Sequence, residues 1–128
     1  NAVNRRLPFT HWLEERKMAR IIVADDEPKI RKLVCDFLKR EGHEPIEAED
    51  GDEAYSFFVQ NSSFIDLMIL DIMMPGLNGW EVCRKVREIS SVPVIILTAR
   101  SEEFDELMGY ESGADDYVTK PVCTYEKG

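Results

Sequence analysis

Four places in this chain set a reactive side chain at the end of a short strand-like run. Asp25 and Asp26 follow residues 21–24, Asp71 follows 67–70, Thr98 follows 92–97, and Lys120 follows 116–119. Brought together, three carboxylates repel one another and need a cation to stay ionised. Oxygen donors without His or Cys select a hard ion, and Mg2+ held by a couple of carboxylates plus waters fits best. Lys120 supplies a mobile point charge suited to a phosphoryl oxygen. Thr98 supplies a hydroxyl donor, and the small Ala99 beside it leaves room for an incoming group. An aspartate so surrounded can attack a phosphoryl group and form an aspartyl phosphate. The transferred group carries three equatorial oxygens, which metal, Lys120 and Thr98 would meet.

That convergence requires elements that end at one edge. The run 67–70 is continuous and apolar, too short for a free-standing helix, and bounded by Asp71 and the Pro75-Gly76 turn; it predicts a strand buried on both faces. Residues 21–24 predict a similar strand. Pro28 suits a first helical position, and Ile30, Leu33, Val34, Phe37 and Leu38 recur at helical spacing before Gly42. Residues 44–48 predict a weaker strand. Asp50-Gly51 predicts a turn, then a helix with Ala54, Phe57 and Phe58 inward. Val82, Cys83, Val86 and Ile89 mark a third helix beginning near Asn78. Residues 92–97 are the most apolar strand, 102–112 a fourth helix through Phe104, Leu107 and Met108, and 116–119 a fifth strand. Five strands alternating with four helices give a doubly wound parallel α/β sheet. Right-handed crossovers then bring all strand ends to one edge, where ligands bind in such sheets.

Composition narrows the partners. The 128 residues, 44% hydrophobic and 32% charged, suit one globular domain, with no run of membrane-spanning length and no secretory signal; the expected location is cytoplasmic. A net charge of −9 argues against nucleic-acid binding by this chain. Three scattered cysteines (Cys35, Cys83, Cys123) make neither a disulfide framework nor a zinc site and are expected to be buried thiols. His11 and His43 have no evident partner and are expected at the surface. Met73 and Met74 are expected to fill gaps near the site.

Ile22-Val23-Ala24-Asp25-Asp26-Glu27, Leu70-Asp71-Ile72-Met73-Met74-Pro75-Gly76-Leu77-Asn78-Gly79, Ile96-Leu97-Thr98-Ala99-Arg100 and Gly113-Ala114-Asp115-Asp116-Tyr117-Val118-Thr119-Lys120-Pro121 together resemble the receiver domain of bacterial two-component response regulators. The similarity covers residues 20–121. It implies a flavodoxin-like sheet of order 2-1-3-4-5, with Asp71 as phosphoacceptor. Asp26, Asp71 and the Met73 main-chain carbonyl would hold Mg2+, with Asp25 acting mostly through water. Thr98 and Tyr117 would form a switch pair, hydroxyl toward the phosphoryl group and ring turning inward. The implied partners are a sensor histidine kinase, a C-terminal effector domain (a winged-helix DNA-binding one in the subfamily with this Gly-Ala-Asp-Asp-Tyr stretch) and a second receiver in a homodimer. No membrane partner is implied. Phosphoryl transfer to and from its own aspartate would not make the chain an enzyme.

The family continues after Lys-Pro with a fifth amphipathic helix, which Val122-Cys123-Thr124-Tyr125-Glu126-Lys127-Gly128 does not accommodate. The expectation is an N-terminal extension over 1–19, the receiver over 20–121, and an atypical tail over 122–128. The abrupt change of composition reads first as an accidental extension; the alternative is a short helix over 8–17, with Thr10 as cap and Phe9, Trp12 and Leu13 on one side, taking the vacant place in its own chain or a neighbour's. Two other functions compete. An aspartate-nucleophile phosphatase needs an acid two residues after the nucleophile, where Met73 stands. A receiver-like binding domain independent of phosphorylation would not need the complete set Asp25, Asp26, Asp71, Thr98 and Lys120.

Overall fold

The computed structural model describes residues 17–99 and 113–120. Nine of its elements matter here: β1 (Arg20–Ala24), α1 (Pro28–Arg40), β2 (Glu44–Ala48), α2 (Gly51–Asn61), a 3-10 turn (Ser62–Phe64), β3 (Leu67–Asp71), α3 (Gly79–Arg87), β4 (Val94–Thr98) and β5 (Asp116–Thr119). The strands form one parallel sheet in the order β2-β1-β3-β4-β5. The expected fourth helix over 102–112, residues 8–16 of the expected 8–17 helix, Arg100, Cys123 and the tail lie outside the described residues.

Every residue of β3 and of β4 is buried, as a parallel strand covered on both faces requires. On one face Ile22, Met68, Leu70, Val94 and Ile96 pack against Ala54 and Phe58 of α2 and Trp80, Val82, Cys83 and Val86 of α3. On the other, Ile21, Val23, Leu67, Ile69, Ile95 and Leu97 join Ile30, Val34, Cys35 and Leu38 of α1. Burial pushes the Cys35 thiol up to about 11, so it is an inert packing group, and Cys83 is buried as well.

Local chemistry sets the helix limits. Pro28 opens α1 at the position where a missing N–H costs nothing. Gly42, at φ +90°, lets the chain leave the last turn, its N–H donating to the Lys39 carbonyl. Asp50 is the N-cap of α2, accepting from Glu53 N at 2.8 Å, so the expected Asp50-Gly51 turn is the helix start itself. Phe57 is only half-buried against the core that Phe58 fills. Asn78 and Glu81 cap α3 reciprocally, at 2.9 Å and 2.8 Å. This helix stops at Arg87, so Ile89, expected on its inner face, is 56% exposed. Strand β4 starts at Val94 rather than Val92, because Pro93 has no N–H for the ladder and contributes only its carbonyl, to Met68 N at 3.0 Å.

His43 corrects a surface expectation. It is buried, and its Nδ1 accepts the Ala19 N–H at 3.0 Å. Ala19 itself is 1% exposed, although the sequence reading placed it in the extension.

The edge of the sheet remote from the strand ends is pinned by Arg87. Its Nε donates to Gly113 O at 2.9 Å, Nη1 to Val92 O at 2.7 Å, and Nη2 to Asp115 Oδ2 at 2.7 Å. The same Asp115 oxygen accepts Val94 N at 2.8 Å, so one side chain joins α3, β4 and the approach to β5. Arg87→Ala would take the donor from the Gly113 and Val92 carbonyls and remove the Asp115 ion pair, leaving Asp115 only its bond from Val94 N. We expect a loss of at least about 2 kcal/mol, read as a melting temperature lower by roughly 6–10 °C.

Candidate phosphoacceptor and cation site

The carboxyl ends of β1, β3, β4 and β5 present Asp25-Asp26, Asp71, Thr98 and Lys120, the grouping the sequence predicts. Asp71 is the last residue of β3 and 2% exposed. Parallel pairing fixes it from both sides, through Ala24 with Leu70 and through Leu97 with Asp71 itself. The chain beyond it is held close: Ile72 N donates to Leu97 O at 3.1 Å, and Gly79 N to Ile72 O at 3.0 Å. Gly79 lies so near the Asp71 carbonyl that a Cβ there would collide with main chain. Gly76, at φ +72°, supplies the left-handed turn between them.

Lys120 reaches the cluster from the end of β5, its N–H donating to Thr98 O at 2.7 Å. Its Nζ lies 3.1 Å from Asp71 Oδ2, 3.3 Å from Asp25 Oδ2 and 2.6 Å from Glu27 Oε1. Glu27 is a partner the sequence reading missed; its place directly after the two aspartates was the available signal. Burial works against the Lys120 ammonium, but the Glu27 hydrogen bond and the charges of Asp71 and Asp25 outweigh it and raise its pKa.

The carboxylates behave as a crowded set. Burial, then the Asp25 charge, pushes Asp71 up to about 7, although Lys120 and the Met73 N–H pull the other way. Burial also raises Asp25. Asp25 Oδ1 accepts Glu27 N at 2.9 Å, whereas its buried Oδ2 accepts no hydrogen bond. Oxygen atoms of Asp25, Asp26 and Asp71 lie within 4.8 Å of one another, with Asp26 exposed and the other two buried. A buried carboxylate oxygen that accepts no hydrogen bond and has only the Lys120 ammonium 3.3 Å away, beside two more carboxylates, fits a hard divalent cation.

Thr98 is fully buried at the end of β4. Tyr117 is half-buried in β5, packed on the same core face as Ile96, its register partner. Thr98 follows Ile96 by two residues, so hydroxyl and ring share a face of the sheet. Met74 is buried as expected, but Met73 is 68% exposed and fills no gap; its N–H donates to Asp71 Oδ1 at 3.3 Å.

A flavodoxin-like sheet with a carboxylate–lysine centre at its carboxyl edge defines the class of domain. Residues 21–126 match the family described as response regulator receiver domain, and the chain belongs to that family. It is 44% identical over 114 residues to the transcriptional regulatory protein ResD of Bacillus subtilis (strain 168), covering 89% of this chain and 47% of that protein. The chain thus spans about half the length of this curated relative. The response regulator protein TrrA from Thermotoga maritima, solved in complex with Mg2+-BeF, is 43% identical with a TM-score of 0.72, covering 86% of this chain and 93% of that one. A response regulator receiver domain protein from Clostridium thermocellum is 32% identical with a TM-score of 0.74, covering 85% and 87%. The chain is therefore a receiver domain of a response regulator. Among the described residues, no helix is long and apolar enough to cross a membrane.

Proposed function

We propose that Asp71 accepts a phosphoryl group from a sensor histidine kinase and that the resulting charge changes the surface this domain offers to an effector. The observation that carries this is Asp71 itself: a buried carboxylate at the end of a central strand, 3.1 Å from an ammonium and within cation-sharing reach of two more carboxylates. In the transfer, an Asp71 oxygen forms a bond to phosphorus while the bond from phosphorus to the donor imidazole nitrogen breaks, and that nitrogen keeps the electron pair. Lys120 is placed to meet one of the oxygens of the transferred group, and the Thr98 hydroxyl to donate to another. Asp25, Asp26, Asp71 and the Met73 carbonyl would hold Mg2+, which when bound would neutralise the carboxylates and share the charge of the transferred group. Thr98 turning toward that group would free space for the Tyr117 ring on the same face, a two-state device biased by a local charge.

TrrA's complex with Mg2+-BeF supports the metal assignment. ResD is a transcriptional regulatory protein, which supports a DNA-binding effector, of winged-helix type by the subfamily resemblance, joined to this receiver in a cytoplasmic protein. The domain acts on its own aspartate and turns over no separate substrate, so it is a signalling module rather than an enzyme. Incubation with Mg2+ and acetyl phosphate, followed by intact-mass measurement, tests the reading: the wild type should gain one phosphoryl group and Asp71→Asn none. A folded wild type that gains none refutes it and favours a binding domain independent of phosphorylation.

A further inference from the structure

The stretch that carries Asp25 and Asp26 has left the sheet, yet its main chain is held at both ends of one residue. Asp25 N donates to Ala48 O of β2 at 3.2 Å. The Asp25 carbonyl lies beyond the strand ladder and accepts instead from Arg31 Nη1, at 2.6 Å. Arg31 sits in the first turns of α1, its side chain only 11% exposed. Its Nε donates to Glu47 Oε1 at 2.8 Å, and Glu47 is the β2 residue just before Ala48. The planar fork of a guanidinium spans both acceptors with fixed geometry, which a lysine cannot do.

We infer that Arg31 is a positioning residue for the cation site, acting through the Asp25 carbonyl and braced by Glu47. The peptide between Asp25 and Asp26 sets where the Asp26 carboxylate points. In its present orientation that peptide brings an Asp26 oxygen within 4.8 Å of those of Asp25 and Asp71. Without Arg31, the Asp25 carbonyl would lose its donor and rotate toward water, carrying Asp26 with it. This inference rests on the cation role assigned to the cluster in the proposed function.

Two effects of removing Arg31 have opposite signs. Deleting a cation near three carboxylates would by charge alone tighten Mg2+ binding, whereas loss of positioning would weaken it. The test is calorimetric titration of Mg2+ into the wild type, Arg31→Gln, Arg31→Lys and Glu47→Ala, with circular dichroism showing each to be folded. Both Arg31 variants should raise the Mg2+ Kd about tenfold or more, the range for a partner that orients a ligand. Glu47→Ala should raise it less, since Arg31 keeps its bond to Asp25. Acetyl phosphate labelling of the Arg31 variants should fall at low Mg2+ and recover as Mg2+ is raised. If Arg31→Gln does not fold, Arg31→Lys, which keeps charge and length, decides the matter. An unchanged or lower Kd in the folded Arg31 variants overturns the inference. Labelling of the wild type at Asp71 with unaltered Arg31 variants would sink the positioning role alone. An unlabelled wild type would refute the phosphoacceptor reading and leave the Mg2+ titration to judge Arg31.

Discussion

Asp71→Asn is expected to abolish phosphoryl incorporation while making the metal-free domain more stable at pH 8. The amide cannot act as the nucleophile, so labelling by acetyl phosphate should disappear. The stability gain follows from the crowding. Burial and the Asp25 charge raise the folded-state pKa of Asp71 from 3.8 to about 7. A carboxyl raised in this way favours the fold in its protonated form. That contribution is complete below about pH 4 and is lost as the pH rises through about 7. At pH 8 the ionised Asp71 therefore opposes folding by an amount on the order of a few kcal/mol. Asparagine carries no such penalty. Thermal melts in chelator should show Asp71→Asn above the wild type at pH 8, the gap closing toward pH 4. Added Mg2+ should raise the wild type more than the variant. A variant that melts below the wild type at pH 8 would mean that the Lys120 contact outweighs the crowding.

Lys120→Ala is expected to move stability the other way. Its Nζ is shared among Asp71, Asp25 and Glu27, and its side chain is 10% exposed. Removing one partner of a buried ion pair typically costs about 3–5 kcal/mol, because the other charge remains buried. Asp71 and Asp25 would then be raised further. The cost should be greatest at pH 8 and shrink toward pH 5, as the carboxylates take up protons. Mg2+ should recover part of the loss, since a divalent cation answers the same charges. Labelling at saturating Mg2+ should slow by about 100-fold or more, the usual effect of deleting a group that stabilises developing oxygen charge. Melting curves across pH and labelling time courses check both halves. A cost equal at pH 5 and pH 8 would show that packing, rather than charge, explains the residue.

The contrast between the two substitutions bears on what the chain alone reveals. The central strands were legible because burial on both faces leaves an unbroken apolar run, and the polar residue ending each run was legible by contrast. Element order followed from turn chemistry, and the edge carrying Asp25, Asp71, Thr98 and Lys120 followed from the handedness of parallel crossovers. His43 was misread because the need for an acceptor at the Ala19 N–H arises only where β1 begins, which no periodicity marks. Ile89 was misread because helical spacing continues on paper past the last hydrogen-bonded turn. Met73 was misread because it lies in the turn after Asp71, past the end of the strand. Arg31 and Glu27 were missed since each acts across elements. The one local hint for Arg31 was a cation in the opening turns of a helix, where the dipole disfavours it, a hint that Lys29 shares.

The double pairing of β3 also bears on how this chain tolerates changes of length. Because β1 and β4 each fix its register, deleting one residue within 67–70 would bring Ile72 to the place of Asp71 if the ladders held, or break both ladders if Asp71 stayed. An added residue in the 3-10 turn Ser62–Phe64 meets neither constraint, because none of its residues is buried. An insertion within Ser62–Phe64 should therefore leave phosphoryl uptake intact, whereas a deletion within 67–70 should abolish it; Ile65, buried in the core, and Asp66, bonded to Arg20, already belong to the intolerant side.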